Sequence, residues 1–211
     1  MKRSAYIFSI IFVISYLFTI TGCAGSVALK QHTRASIKSV TISKDVRMPN
    51  EMFYQEIIED YSGTLGANRP LAAERGRKDT KKIIKGVMDK SDVDIKKTVI
   101  NKFSHQLKNS NLFDEVLTEC DSCPIFSLSV SVFGFAGSSN QLKPMLGITG
   151  MLTKPENSVL WKKYVYVSYY TKDTPSHTLE EYFKEPELIR EAFTLASEIV
   201  ANDMINHLQG D

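Results

Sequence analysis

The side chains with the most reactive chemistry in this chain are its three cysteines, Cys23, Cys120 and Cys123. Two of them share the spacing Cys120-Asp121-Ser122-Cys123, which suits a disulfide, a redox pair or half of a metal site. In a redox pair built on this spacing, the first thiol opens a helix whose dipole lowers its pKa. Here Cys123 is followed by Pro124 and a strand-like run, so no helix dipole serves either sulfur. The residues favour a small disulfide pinning a turn, with a redox centre as the alternative. A tetrahedral zinc site needs two more ligands, and His32, His105, His177 and His207 are scattered without paired spacing. No metal and no cofactor is expected.

Other constellations are thinner. Glu180, Glu181, Glu185 and Glu187 crowd one helical region and read as a solvated face. Neither Gly63-Thr64-Leu65-Gly66 nor Gly134-Phe135-Ala136-Gly137 has the form of a phosphate loop, and neither a G-x-S-x-G elbow nor an H-E-x-x-H helix is present. The chain is expected not to be an enzyme. Positive charge gathers in residues 69–90, where Arg69, Arg75, Arg77, Lys78, Lys81, Lys82, Lys85 and Lys90 face only Glu74, Asp79 and Asp89. Ile83, Ile84, Val87 and Met88 are spaced like one helical face within it. Two readings stand: a basic amphipathic contact with an anionic surface through Arg75, Arg77, Lys78, Lys81, Lys82 and Lys85, or a solvated helix packed by four apolar residues.

The remaining cysteine sits in a different setting. Lys2 and Arg3 precede an almost wholly apolar run over residues 5–20, followed by the small residues Thr21 and Gly22 and then Cys23. A charged start, an apolar middle and small residues before a cut site describe a secretory signal. Ile20-Thr21-Gly22-Cys23 also resembles the lipobox of bacterial lipoproteins. That resemblance implies cleavage before Cys23, a diacylglycerol on its thiol and an acyl chain on its amine. Residues 1–22 are then the signal peptide. Ala24, rather than an aspartate, follows the cysteine, which by resemblance to the usual sorting rule implies the outer membrane, periplasm-facing. The alternative is an uncleaved anchor, for which the run lies at the short edge of the roughly 17–25 residues needed. With Cys23 acylated, Cys120 and Cys123 remain as a pair in an oxidising compartment, which again favours their disulfide.

Lys2 and Arg3 are the only charges ahead of Cys23, so of 26 basic and 24 acidic residues the mature chain keeps 24 of each. A balanced charge argues against a general nucleic-acid binder. It leaves the lipid as the main membrane attachment, at about 0.8 kcal/mol per buried methylene.

The elements that must position these residues follow from periodicity. Residues 23–36 are polar and read as a lipidated tether. Residues 37–46 alternate as a strand that Pro49 stops. Ile95, Val99, Phe103 and Leu107 make the clearest helix, capped by Asp92 or Asp94. Residues 115–118 form a short strand candidate, and longer strands are predicted over 125–135, 145–153 and 159–170. In the first of these, bulky residues change sides at Phe133-Gly134-Phe135, which points to a bulge or bend. Thr178 with Glu181 has capping-box spacing, and a last helix runs to about Leu208. The expectation is an α+β domain over residues 37–211 with a basic insertion at about 69–90. Its single mixed sheet of about four to five strands is packed by a long middle helix and a C-terminal helix.

This order, with Leu107-Lys108-Asn109-Ser110-Asn111-Leu112-Phe113 leading into Glu115-Val116, is similar to the small α/β domain of the TolB N-terminus. That fold is shared by the penicillin-binding-protein activator LpoB and the curli secretion lipoprotein CsgG. The resemblance implies a non-enzymatic, membrane-anchored envelope lipoprotein that binds or assembles other cell-envelope components. The alternatives are a membrane-tethered thiol–disulfide protein using Cys120 and Cys123, or a lipoprotein subunit of a secretion or transport complex.

Overall fold

The computed structural model describes residues 25–57, 71–91, 93–138 and 140–210, with backbone alone for 71–77. The signal segment, Cys23, Asp92 and the loop at 63–66 lie outside the described residues. Eleven elements follow one another: α1 (Gln31–Ser36), β1 (Ser39–Ile42), β2 (Phe53–Glu56), α2 (Leu71–Lys90), α3 (Ile95–Asn109), β3 (Glu115–Leu117), β4 (Ile125–Ser138), β5 (Gln141–Thr153), β6 (Val159–Val167), α4 (Leu179–Lys184) and α5 (Glu187–Gln209).

The architecture is α+β, as expected, with one mixed sheet of six strands. Its main order is β3-β1-β4-β5-β6, and β2 pairs with β4 beyond the end of β1. β1 runs parallel to β3 and β4, whereas β4, β5 and β6 form an antiparallel meander. The expected count of about four to five strands omits β2. Its Phe53-Tyr54-Gln55-Glu56 is only half-buried and its pattern is too short and polar to register as a strand.

Helices α3 and α5 pack on one face of the sheet. Asp94 accepts the Lys97 amide at 2.9 Å and starts α3, which buries Ile95, Val99, Phe103 and Leu107 as the four-residue spacing predicts. α5 buries Ile189, Ala192, Phe193, Ala196, Val200, Met204 and Leu208. Thr178 and Glu181 form the expected capping box, but it opens the short α4, and Pro186 then precedes α5. Edge-to-face ring contacts join the layers, with Phe103 of α3 on Phe126 and Phe193 of α5 on Phe135, while Trp161 meets Phe126 within the sheet. Each such pair contributes about 0.5–1.5 kcal/mol beyond area burial. Between α2 and α5, the Arg190 guanidinium donates to the Ser91 carbonyl at 2.6 Å.

The phase change in β4 has a local cause. The β4–β5 register shifts between Val130 and Val132, so Ser131 is the extra residue of a bulge. Before it, Phe126, Leu128 and Val130 face the helices; after it, Phe133 and Phe135 do. The bulge keeps the aromatic residues of β4 on the core side, while Ile125 and Val132 point to the other face. It lies two residues ahead of Phe133, where the pattern visibly breaks.

Residues 23–36 were expected as a tether, and from Val27 onward the chain is docked instead. The Val27 amide donates to the Lys162 carbonyl at 2.8 Å, and the Lys162 amide donates back at 2.9 Å. Leu29 is buried in the core. Arg34, in α1, donates to the Leu208 and Gln209 carbonyls at 3.2 and 2.7 Å, satisfying the end of α5. A polar sequence with one buried leucine carries no periodicity, and its order comes from backbone pairing.

Candidate functional site

The CxxC forms the turn between β3 and β4. Cys120 and Cys123 are joined by a disulfide with their Cα atoms 5.5 Å apart. Next to it, the Pro124 carbonyl accepts the Thr41 amide at 3.0 Å, and Lys44 lies 3.5 Å from Glu119. The bond thus closes a turn flanked by β1 and leads into β4, where no helix begins.

The basic stretch is the helix α2. Ile84, Val87 and Met88 are buried, while Ile83 is 44% exposed. Several of its cations sit against acids: Lys81 donates to Glu51 at 2.7 Å and Lys85 to Asp89 at 2.7 Å. The Lys81 hydrogen bond and charge hold the Glu51 carboxyl below its ordinary value. Lys82 is exposed and Lys78 has a partner of its own. The side chains of Arg75 and Arg77 lie outside the described residues. Local ion pairing on this helix offsets part of the charge surplus that the sequence displays.

Two concave regions flank α2. A groove of about 460 Å³ is lined by Met48, Met52, Met88, Ile95 and Phe133. Two carboxylates at its rim are locally engaged, Asp89 by Lys85 and Asp94 by the Lys97 amide. On the other side, Ile83 meets α4, where Phe183 is 63% exposed. Among the described residues, no group of three or more His, Cys, Asp or Glu could hold a metal, and no helix is long and apolar enough to cross a membrane.

The opposite face of the sheet turns away from α3 and α5. Pairing places Ser127 with Met151 and Ser129 with Thr149, and on the next strand Met151 with Lys162, Thr149 with Tyr164 and Gly147 with Tyr166. This face reads Ser127, Ser129 and Ser131, then Met151, Thr149 and Gly147, then Lys162, Tyr164 and Tyr166. The two tyrosine rings stack at 6.3 Å and 14°, and remain 44% and 42% exposed. A Cβ at Gly147 would sit 2.7 Å from the Tyr164 hydroxyl and 3.0 Å from Ser131 Oγ. Glycine at that position is what lets the Tyr164 ring lie across β5. Partial burial, and then the neighbouring Tyr164, push the Tyr166 phenol above its ordinary pKa. This surface is absent from the sequence-based list of candidate residues. Its signal was the alternation of Lys162, Tyr164 and Tyr166, which marks the outer face of a strand but not whether anything covers it.

On the inner side of β6, Trp161 is fully buried, and its indole N–H donates to His207 Nδ1 at 2.9 Å. Desolvation by burial, then the Lys163 charge, hold the imidazole below its ordinary pKa against the opposing pull of Asp203. The two residues are 46 apart in sequence, so no spacing argument pairs them. No protein family, no curated protein and no solved structure matches this chain.

Proposed function

We propose that this chain is a lipid-anchored bacterial envelope protein, tethered through acylated Cys23 to the periplasmic side of the outer membrane. There its α+β domain binds or assembles other envelope components and does not catalyse a reaction. The observation that carries the reading is Ile20-Thr21-Gly22-Cys23 at the end of the apolar run that follows Lys2 and Arg3. The Cys120–Cys123 bond supports it, because a short disulfide near the surface persists in an oxidising compartment and is rare in a reducing one. The order of strand, long helix and strands, similar to that of the TolB-type periplasmic domain, supports the same setting by analogy. What the described geometry offers a partner is the groove beside α2.

Metabolic labelling with palmitate tests the anchor. The native chain is expected to take the label and lose its first 22 residues, and Cys23→Ser is expected to remain an unlabelled precursor. Label retained by Cys23→Ser would refute acylation at this thiol. Density-gradient fractionation tests the membrane: recovery with the inner membrane would refute the outer-membrane assignment.

A further inference from the structure

We infer that the sheet face beside β6, exposed among the described residues and centred on Tyr164 and Tyr166, rests on the surface of the bilayer that holds the lipid anchor. The inference depends on the proposed acylation of Cys23 and adds to it an orientation and a contact surface. Its first support is the length of chain between anchor and fold. Val27 is fixed to Lys162 by two backbone hydrogen bonds. Only three residues lie between it and Cys23, and the four Cα-to-Cα steps span at most about 14 Å when fully extended. A domain of this size has a radius of gyration of about 16 Å. The leash is shorter than the body it holds, so the domain lies against the headgroups.

Which side meets them follows from the same pairing. Val27 and Lys162 form an antiparallel bridge, so the chain preceding Val27 heads along β6 towards Tyr164 and Tyr166. Directly paired residues project from the same side of a sheet. Val27, 40% exposed, therefore stands on the side of Lys162 and the stacked tyrosines. The chemistry of that side suits an interface. Tyrosine is enriched where hydrocarbon gives way to water, with its ring towards the lipid and its hydroxyl in the headgroup layer. A lysine beside it lays its methylenes on apolar surface and keeps its ammonium among phosphates. The serines and threonine behind them supply hydroxyls at headgroup depth, where loose polar packing is tolerated. The Ile83–Phe183 patch contains larger apolar groups, but the anchor's attachment at β6 gives it no comparable constraint.

The test uses the full lipidated protein reconstituted into vesicles of phosphatidylethanolamine and phosphatidylglycerol. Cys23 is acylated and Cys120 and Cys123 are bonded to each other, so an introduced cysteine is the one free thiol for a nitroxide label. Labels go at Tyr166→Cys and at Phe183→Cys. Ser129→Cys, two strands inward on the same face, is a second probe should Tyr166→Cys not fold. The expected result is loss of collisions with a water-soluble nickel chelate and gain of collisions with oxygen at position 166 or 129. Position 183 is expected to stay water-like. Inserting a flexible segment of about 20 residues between Gly25 and Ser26 lengthens the leash by tens of ångströms, and should return position 166 towards water. Vesicle flotation with water-like spectra at both 166 and 129 would overturn the docking and leave the anchor standing. Failure to float, with no acyl mass on Cys23, would overturn the anchor and the docking together.

Discussion

Gly134 offers the sharpest test of how the sheet is assembled. β2 lies parallel to the second half of β4, with Phe53 opposite Gly134 and Glu56 opposite Gly137. Gly134 has φ 152°, and a Cβ there would fall 1.8 Å from the Phe53 carbonyl oxygen and 2.7 Å from its carbon. Those atoms are backbone, so no side-chain rotation can relieve the overlap. In Gly134→Ala either β4 distorts locally to swing the methyl clear, at a strain of about 1–3 kcal/mol, or β2 moves away. If β2 moves, Met52, now 3% exposed, loses burial worth about 1.5–3 kcal/mol. The two routes limit each other, and the expected loss is about 2–4 kcal/mol, or a melting point lower by about 4–16 °C for a domain of this size. Gly86→Ala is the control for the same chemical change. Gly86 lies inside α2 with nothing within 4 Å of its added Cβ. There alanine should stabilise by about 0.5–1 kcal/mol through helix propensity. Urea denaturation reads both signs, and hydrogen exchange at the amides of Phe53–Glu56 identifies the route. Equal stability of Gly134→Ala and the native domain, with unchanged protection across β2, would refute the reasoning.

Three further outcomes follow from the same structure. The Cys120–Cys123 bond closes so short a loop that Cys120→Ser with Cys123→Ser should cost less than the roughly 3 kcal/mol of a 15-residue loop and leave the domain folded; a rapidly alkylated, acidic Cys120 in the untreated protein would instead support a redox role. Ser197 Oγ is the buried side-chain polar atom without a hydrogen-bond partner among the described residues, and it lies in an apolar niche with Val99, Phe103, Leu128 and Met204. Ser197→Ala is therefore expected to stabilise by about 1 kcal/mol, since it removes an uncompensated desolvation cost, and a lower urea midpoint would contradict this. Because burial depresses His207, the folded state binds fewer protons than the unfolded state below about pH 6.5. The stability this group contributes is whole above that pH and is lost as pH falls through the folded value. With Trp161 the sole tryptophan, its fluorescence should report a titration midpoint below 6.5, and a midpoint at or above 6.5 would refute the assignment.

Legibility in the sequence tracked how each element earns its order. α3, β4 and α5 bury regular stripes, so the four-residue repeat of Ile95, Val99, Phe103 and Leu107 and the alternation of Phe126, Leu128 and Val130 disclosed them directly. The Asp94 cap and the Thr178–Glu181 capping box are local hydrogen bonds, and local residue types suffice to find them. β2 and the segment around Val27 gain their order from backbone bonds to residues far along the chain, and such bonds leave no mark on side-chain pattern.

The same distinction governs the candidate sites. Adjacent cysteines and a run of lysines are visible as letters, whereas pairs such as Lys81 with Glu51 show only once the chain is folded. The Tyr164–Tyr166 surface lies between these cases. Alternation puts both rings on one side of β6, but only the fold shows that α3 and α5 pack on the other side and that, among the described residues, both rings stay exposed. The docking of Val27 then changes the meaning of the N-terminal sequence. Fourteen residues read as a free tether would let an anchored domain reach about 50 Å from its lipid. With Val27 held to β6 the reach falls to about 14 Å. Two hydrogen bonds between main chains, which no side-chain pattern announces, thereby decide whether an acylated Cys23 lets the domain search the periplasm or holds one chosen face against the membrane.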